Sequence, residues 1–153
     1  MAFRLVRLST GDDGQSHVTT GEITLEALDE LNTASSVEAV SRLRFEETRP
    51  GSALTWHPAP ERQYVVTLSG TLDFETRDGT RFRLGPGDVL LAEDTAGGGH
   101  RWRLVDDQPW RRVYIAFCQL TVAAVRVSPA RRPGGRCGSR RTPTGPGTRG
   151  RSS

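Results

Sequence analysis

Lysine is absent from this 153-residue chain: all 21 basic residues are arginine. Cysteine is nearly absent too, and Cys118 and Cys137 are too few for a disulfide scaffold. No apolar run approaches the roughly 18–20 residues of a membrane-crossing helix, which excludes one. The opening segment MAFRLVRLSTGDDG lacks the ~7–15-residue apolar centre of a secretion signal. A cytoplasmic protein with reduced thiols and no membrane partner is therefore expected. Acidic residues are missing from the C-terminal part: all 18 lie at or before Asp107, whereas eight of the arginines lie from Arg126 onward. The body through Val125 holds 13 arginines against 18 acids, a net charge of −5, and the remainder carries +8. The overall charge of +3 thus conceals an acidic domain with a basic tail.

Residues 126–153 have almost no apolar side chains and repeat Pro, Gly and Arg. Burial cannot offset the entropy of ordering such a segment, so disorder is expected. The same mixture is what GC-rich coding DNA yields in a wrong reading frame. An anchor for nucleic acid is the functional alternative, but no aromatic residue interleaves with these arginines as base stacking requires. The expected organisation is one domain over 1–125 followed by the tail.

What the chain does have is turn formers, with 17 Gly and 9 Pro. That balance disfavours a helical bundle and favours a compact β protein. Phe3 to Leu8 and His17 to Leu25 read as strands around the turn Thr10-Gly11-Asp12-Asp13-Gly14. Glu26 to Val40 is open between a short helix, hinted at by Leu28, Leu31 and Val37, and an irregular crossing. Val40–Glu47 puts Leu43 and Phe45 on one face and Arg42 and Arg44 on the other. Gln63–Leu68 is β-branched and aromatic. Thr71–Glu75 and Thr80–Leu84 flank Arg77-Asp78-Gly79 with matching alternation, Leu72 and Phe74 against Phe82 and Leu84, a hairpin signal. Gly85-Pro86-Gly87-Asp88 turns into the apolar run Val89–Ala92, and His100–Val105 and Trp110–Phe117 close the series. Many short strands with close turns predict an all-β antiparallel barrel or double-sheet jelly roll.

Two motifs in this order, over roughly residues 40–117, resemble the cupin superfamily, specifically its small single-domain bacterial members. The first cupin motif, G-x5-H-x-H-x3,4-E-x6-G, is similar to Gly51 through His57, Ala59 and Gln63 to Gly70. The second, G-x5-P-x-G-x2-H, is similar in looser form to Gly87 through Glu93 to His100. The resemblance implies a jelly-roll barrel. In metal-binding members, two His and a Glu of the first motif and a His of the second hold one divalent ion. Here His57 fills the first position, Ala59 replaces the second His, and Gln63 replaces the carboxylate. Glu93 stands in the proline position and Gly98 where the second motif's His belongs. His100 fits only with a loop two residues longer.

The implied site is therefore His57, Gln63 and His100 around one divalent transition metal (Zn, Fe, Ni or Cu), completed by Glu93 or Asp94. The competing reading is a metal-free barrel with His57 and His100 as hydrogen-bonded pocket residues. Period-two alternation puts His100, Trp102 and Leu104 on one strand face and Val65 with Gln63 on another. Val65, Trp102 and Leu104 are thus expected substrate-binding residues, and the resemblance adds Glu93 to them. His57 and His100 are the expected catalytic acid/base groups, since imidazole titrates near the working pH. Thr55, His57 and Ala59 would share a face, with Trp56 opposite. Gly97-Gly98-Gly99 reads as a hinge rather than a phosphate loop, because no helix follows and no lysine accompanies it. His17 reads as solvent-facing and Cys118 as a buried inert thiol.

The resemblance implies a small-molecule enzyme, a cyclase or isomerase of secondary metabolism. The alternative is a non-catalytic metabolite-binding or sensing module. Single-domain cupins commonly pair, so a homodimer is expected, with QYVVTL offering apolar residues to both sides.

Overall fold

The computed structural model describes residues 3–118. The expected disordered tail at 126–153 and Cys137 lie outside them. Twelve strands and no helix make up the described residues. They are β1 (Arg4–Thr10), β2 (Ser16–Glu22), β3 (Glu26–Ala27), β4 (Thr33–Ala34), β5 (Val40–Thr48) and β6 (Ala53–His57). There follow β7 (Gln63–Ser69), β8 (Leu72–Thr76), β9 (Arg81–Leu84), β10 (Val89–Glu93), β11 (His100–Leu104) and β12 (Trp110–Phe117). A six-stranded sheet in the order β2-β1-β10-β7-β12-β5 faces a four-stranded sheet in the order β6-β11-β8-β9. This is an all-β, double-sheet arrangement of the jelly-roll type. Its pairing is antiparallel except at one seam, where β1 lies parallel to β10 with Leu5 opposite Val89 and Leu8 opposite Ala92. Through that seam β1 and β2 complete the larger sheet.

The hairpin pairs as its alternation dictates, Leu72 with Leu84 and Phe74 with Phe82. Its turn is closed by the Asp78 carboxylate, which accepts from the Thr80 amide at 2.9 Å and the Thr76 hydroxyl at 2.7 Å. Gly79 takes φ of 85°, a conformation few other residues tolerate. Between β2 and β5 the chain forms only the two-residue ribbon β3–β4, so the irregular crossing is realised and the helix is not. The Asp29 carboxylate accepts from the Leu31 and Asn32 amides there, and Leu28, Leu31 and Val37 stay exposed. With no apolar face to bury, a helix has nothing to hold it.

Between the sheets lies one apolar cluster drawn from both. Val6, Leu8, Val65, Leu90, Ala92 and Trp110 come from the larger sheet, and Leu72, Phe74, Leu84 and Leu104 from the smaller. Such full burial is worth roughly 1.5–3 kcal/mol per large aliphatic side chain. The Phe74 ring stacks on Phe82 at 4.9 Å and meets Trp110 edge-on at 6.4 Å. Among the described residues, no helix is long and apolar enough to cross a membrane.

Candidate functional site

A cavity of about 400 Å³ opens beside this core. β5 lends it Arg44, Glu46 and Thr48, β7 lends Gln63 and Val65, and β12 lends Trp110, Arg112 and Tyr114. From the smaller sheet come Leu54, His57, Phe74, His100 and Trp102. The alternation of β5 is thus inverted relative to a simple amphipathic strand. Its charged residues line the cavity, while Leu43 and Phe45 point out and are exposed.

His57 and His100 stand opposite each other on the paired strands β6 and β11, with ring centroids 4.5 Å apart. Their meeting depends on a bulge. His57 pairs with His100 and Leu54 with Trp102, which leaves Thr55 and Trp56 facing Arg101 alone. Leu54 therefore joins His57 on the cavity wall in place of the expected Thr55. Trp56 turns outward, where Arg77 and Arg101 lie over its ring at 4.3 and 4.8 Å. The Thr55 carbonyl accepts from His57 Nδ1 at 2.7 Å, so neutral His57 keeps its lone pair on Nε2.

Asp94 is the fixed point of the site. Its Oδ2 accepts from His100 Nδ1 at 2.7 Å and from the Ser16 hydroxyl at 2.7 Å. Its backbone carbonyl accepts from the Ala59 amide at 3.0 Å, tying the Pro58–Pro60 loop to the same residue. Asp94 is fully buried and His100 only 5% exposed, so the pair is shielded from water. Oδ1 has no partner among the described residues. With Nδ1 donating to the carboxylate, neutral His100 also keeps its lone pair on Nε2. Burial lowers the His57 pKa below its ordinary value, and the neighbouring His100 lowers it further against the raising effect of the Thr55 carbonyl.

The glycine run before His100 has a packing reason. A Cβ on Gly99 would sit 2.3 Å from the His57 carbonyl oxygen, and one on Gly97 would sit 2.1 Å from that of Gly14. Both have positive φ. The loop is pressed against the segment carrying His57, rather than hanging free as a hinge.

Of the residues expected from the sequence, His57, Gln63, Val65, His100 and Trp102 share the cavity. Glu93 does not. Leu90 and Ala92 take the inward positions of β10, so Glu93 faces away and pairs with Arg7 and Arg62. Burial pushes its carboxyl up, but the two guanidiniums outweigh that and hold its pKa below the ordinary value. Leu104 shares the face of His100 and Trp102 but lies farther along β11, in the apolar cluster rather than on the cavity wall. Cys118 is exposed rather than buried, because it follows Phe117, the last residue of β12. His17 is solvent-facing as expected, and Asp13 pairs with it at 2.9 Å.

Sequence reasoning missed Arg112. It is 3% exposed, donates to Tyr114 Oη at 2.9 Å and Thr48 Oγ1 at 2.8 Å, and pairs with Glu46. Its guanidinium lies 3.7 Å over the Trp110 ring. The signal was present in β12, where Trp110, Arg112, Tyr114 and Ala116 share one face by period two.

The donors fit a divalent metal poorly. Two imidazole Nε2 atoms and the Gln63 amide are all neutral, and the carboxylate that lines the same cavity, Glu46, is taken up by Arg44 and Arg112. Among the described residues, no three His, Cys, Asp or Glu side chains converge as a ligand set. The arrangement is suited instead to moving a proton between an organic molecule and two imidazoles.

Comparison with solved structures finds partial likenesses, among them the following two. The chain is similar to the cupin domain of Cnp3 from Schizosaccharomyces pombe, at 12% identity and a TM-score of 0.40, over 76% of this chain and 86% of that one. It is also similar to a conserved protein of unknown function from Streptococcus pyogenes, at 16% identity and a TM-score of 0.38, over 54% of this chain and 68% of that one. No family model and no curated protein matches the sequence.

Proposed function

We propose that this domain is a small-molecule enzyme of cupin type, a cyclase or isomerase that works by metal-free proton transfer. The observation that carries this reading is the buried Asp94–His100 pair facing His57 across 4.5 Å in one cavity. Asp94 holds His100 in one tautomer and stabilises the imidazolium formed when Nε2 takes a proton. His57, kept neutral by burial, is placed to exchange a second proton on the same ligand. Trp102, Trp110, Tyr114 and Phe74 supply flat apolar walls for an organic ring.

Isomerisation and many cyclisations share one partial reaction, abstraction of a proton beside a carbonyl. The test is deuterium wash-in from D2O, followed by proton NMR over a pool of small cyclic and acyclic carbonyl compounds. Exchange in one component with wild-type protein, lost in His100→Asn, is the expected result. A component that binds without exchanging would make the domain a metabolite-binding module instead. Stoichiometric metal in purified protein, lost in His57→Ala with His100→Ala, would overturn the metal-free reading.

A further inference from the structure

Arg44, Glu46 and Arg112 are the charged side chains lining the cavity, and their charges do not cancel. Arg112 is saturated: its guanidinium donates to Tyr114 Oη, Thr48 Oγ1 and the Trp110 carbonyl, and it pairs with one oxygen of Glu46. The other Glu46 oxygen lies 2.9 Å from Arg44. Two guanidiniums thus share one carboxylate, which leaves one positive charge over. Arg44 carries it. Its side chain is 67% exposed against 3% for Arg112, and Glu46 is its one ion-pair partner among the described residues. Most of its N–H groups therefore remain free at the cavity mouth.

Gln63 is the matching group at the inner end. It is buried yet lines the cavity, and among the described residues no hydrogen bond takes up its side-chain amide. Its neighbours across the sheet are Ala92 on β10 and Ala116 on β12, so no large side chain covers it. Asp94, which holds His100, follows Ala92 by two residues, so Gln63 and His100 share one end of the cavity. Register sets the span to Arg44. Arg44, Tyr114 and Val65 stand directly across from one another on β5, β12 and β7, and Gln63 comes two residues before Val65. At about 4.8 Å between strands and about 3.4 Å per residue, the Cα atoms of Arg44 and Gln63 are roughly 12 Å apart. Both side chains reach into the space between, and a benzene ring with substituents at opposite ends fits there against Tyr114.

We propose that the substrate is a flat ring bearing a carbonyl at one end and a carboxylate at the other, with the carboxylate on Arg44 and the carbonyl oxygen on the Gln63 amide. This assignment rests on the proton-transfer reading of the same site. A planar guanidinium matches a carboxylate in geometry as well as in charge. At the inner end His100 Nε2 takes a proton from the carbon beside the carbonyl. The C–H electron pair becomes the new carbon–carbon double bond, and the carbonyl π pair moves onto oxygen. There the Gln63 N–H donates to the charge that develops. Return of the proton to carbon reverses each of these movements.

The test pairs para-acetylbenzoate with its neutral twin para-acetylbenzamide, using the full chain and ligand-observed NMR. The benzoate should bind roughly tenfold or more tightly than the benzamide, and Arg44→Gln should erase that preference while Arg44→Lys keeps part of it. In D2O the methyl group of the benzoate should exchange its protons. Gln63→Leu should slow that exchange more than it weakens binding, because the charge on the oxygen grows as the proton leaves. Equal affinity for the two compounds, an unchanged preference in Arg44→Gln, or binding of neither would overturn the proposal. A preference carried by Arg44 without exchange would support the carboxylate seat and count against the proton-transfer reading. Exchange with equal affinities would do the reverse. The comparison of the two compounds on wild-type protein depends on no variant, and Arg44 is exposed on an edge strand, so matching melting curves show that its variants fold.

Discussion

Asp94 and His100 share a hydrogen bond of 2.7 Å, Oδ2 to Nδ1, with side chains 0% and 6% exposed. The same oxygen takes the Ser16 hydroxyl, so one carboxylate satisfies two donors from distant parts of the chain. Replacing Asp94 by Ala leaves both donors buried without their acceptor. Urea unfolding should show a loss of roughly 2–4 kcal/mol, with Asp94→Asn losing less because an amide can still accept one of the two bonds. Equal stability of the Ala variant and wild type would mean that the pair does not organise this end of the barrel.

His57 gives the fold a pH dependence of definite sign. Its folded pKa lies below the ordinary 6.5, so on acidification the unfolded chain takes up the proton first. Stability is therefore full above about pH 6.5 and falls as the pH drops toward the folded value. His17, whose pKa Asp13 raises, acts with the opposite sign over the same range, so the decline is read as the difference in melting temperature between wild type and His57→Gln from about pH 5 to 8. An unchanged slope in the variant would assign the effect to another group.

Ala59 and Gln63 stand on the cavity wall with His57 and His100, 3% and 5% exposed. Ala59→His with Gln63→Glu would add an imidazole and a negative charge to two existing imidazoles. Elemental analysis after dialysis should find near-stoichiometric Zn or Ni in the double variant and far less in wild type. No gain would show that the four positions do not converge on a common point.

Gly99 is expected to tolerate no side chain. Gly99→Ala combines positive φ with a Cβ 2.3 Å from the His57 carbonyl oxygen, so the His57 segment must move. The expected result is a melting temperature several degrees lower and shifted NMR signals from both imidazoles, since a cost of about 1 kcal/mol moves the midpoint of a domain this size by a few degrees. Gly79→Ala shares the strained φ but meets no neighbouring atom, and should leave the imidazole signals in place.

Much of this was legible in the sequence. The hairpin was, because turn chemistry and alternation on both arms pointed to one register. The convergence of His57, Gln63 and His100 on one cavity was, because two motifs placed them around that hairpin. Glu93 was misplaced, since Val89-Leu90-Leu91-Ala92 is apolar at every position and gives no phase from which to count. The bulge at Thr55 and Trp56 shifts a face by one residue, and no composition marks it. Arg112 and Glu46 escaped because a buried arginine and its half-buried partner look, in sequence, like two surface residues. Only the fold shows that strands bring these two residues together across 66 positions of chain.

The parallel seam between β1 and β10 has a consequence for how the protein is made. Arg4 reaches Asp88 across 84 positions of chain, with a hydrogen bond of 2.9 Å. Loop closure over that span must precede any reward from the contact, so the seam belongs to the late, slow part of assembly. On the ribosome, at about 5–20 residues per second, the N-terminal strands wait several seconds for their partner to emerge. During that interval β1 has only β2 to pair with, and Val6 and Leu8, which end with no exposed surface, lack the core that buries them. The apolar face of β1 is thus left to solvent until β10 has been made, and a partner that shields it over that interval would raise the yield of folded protein.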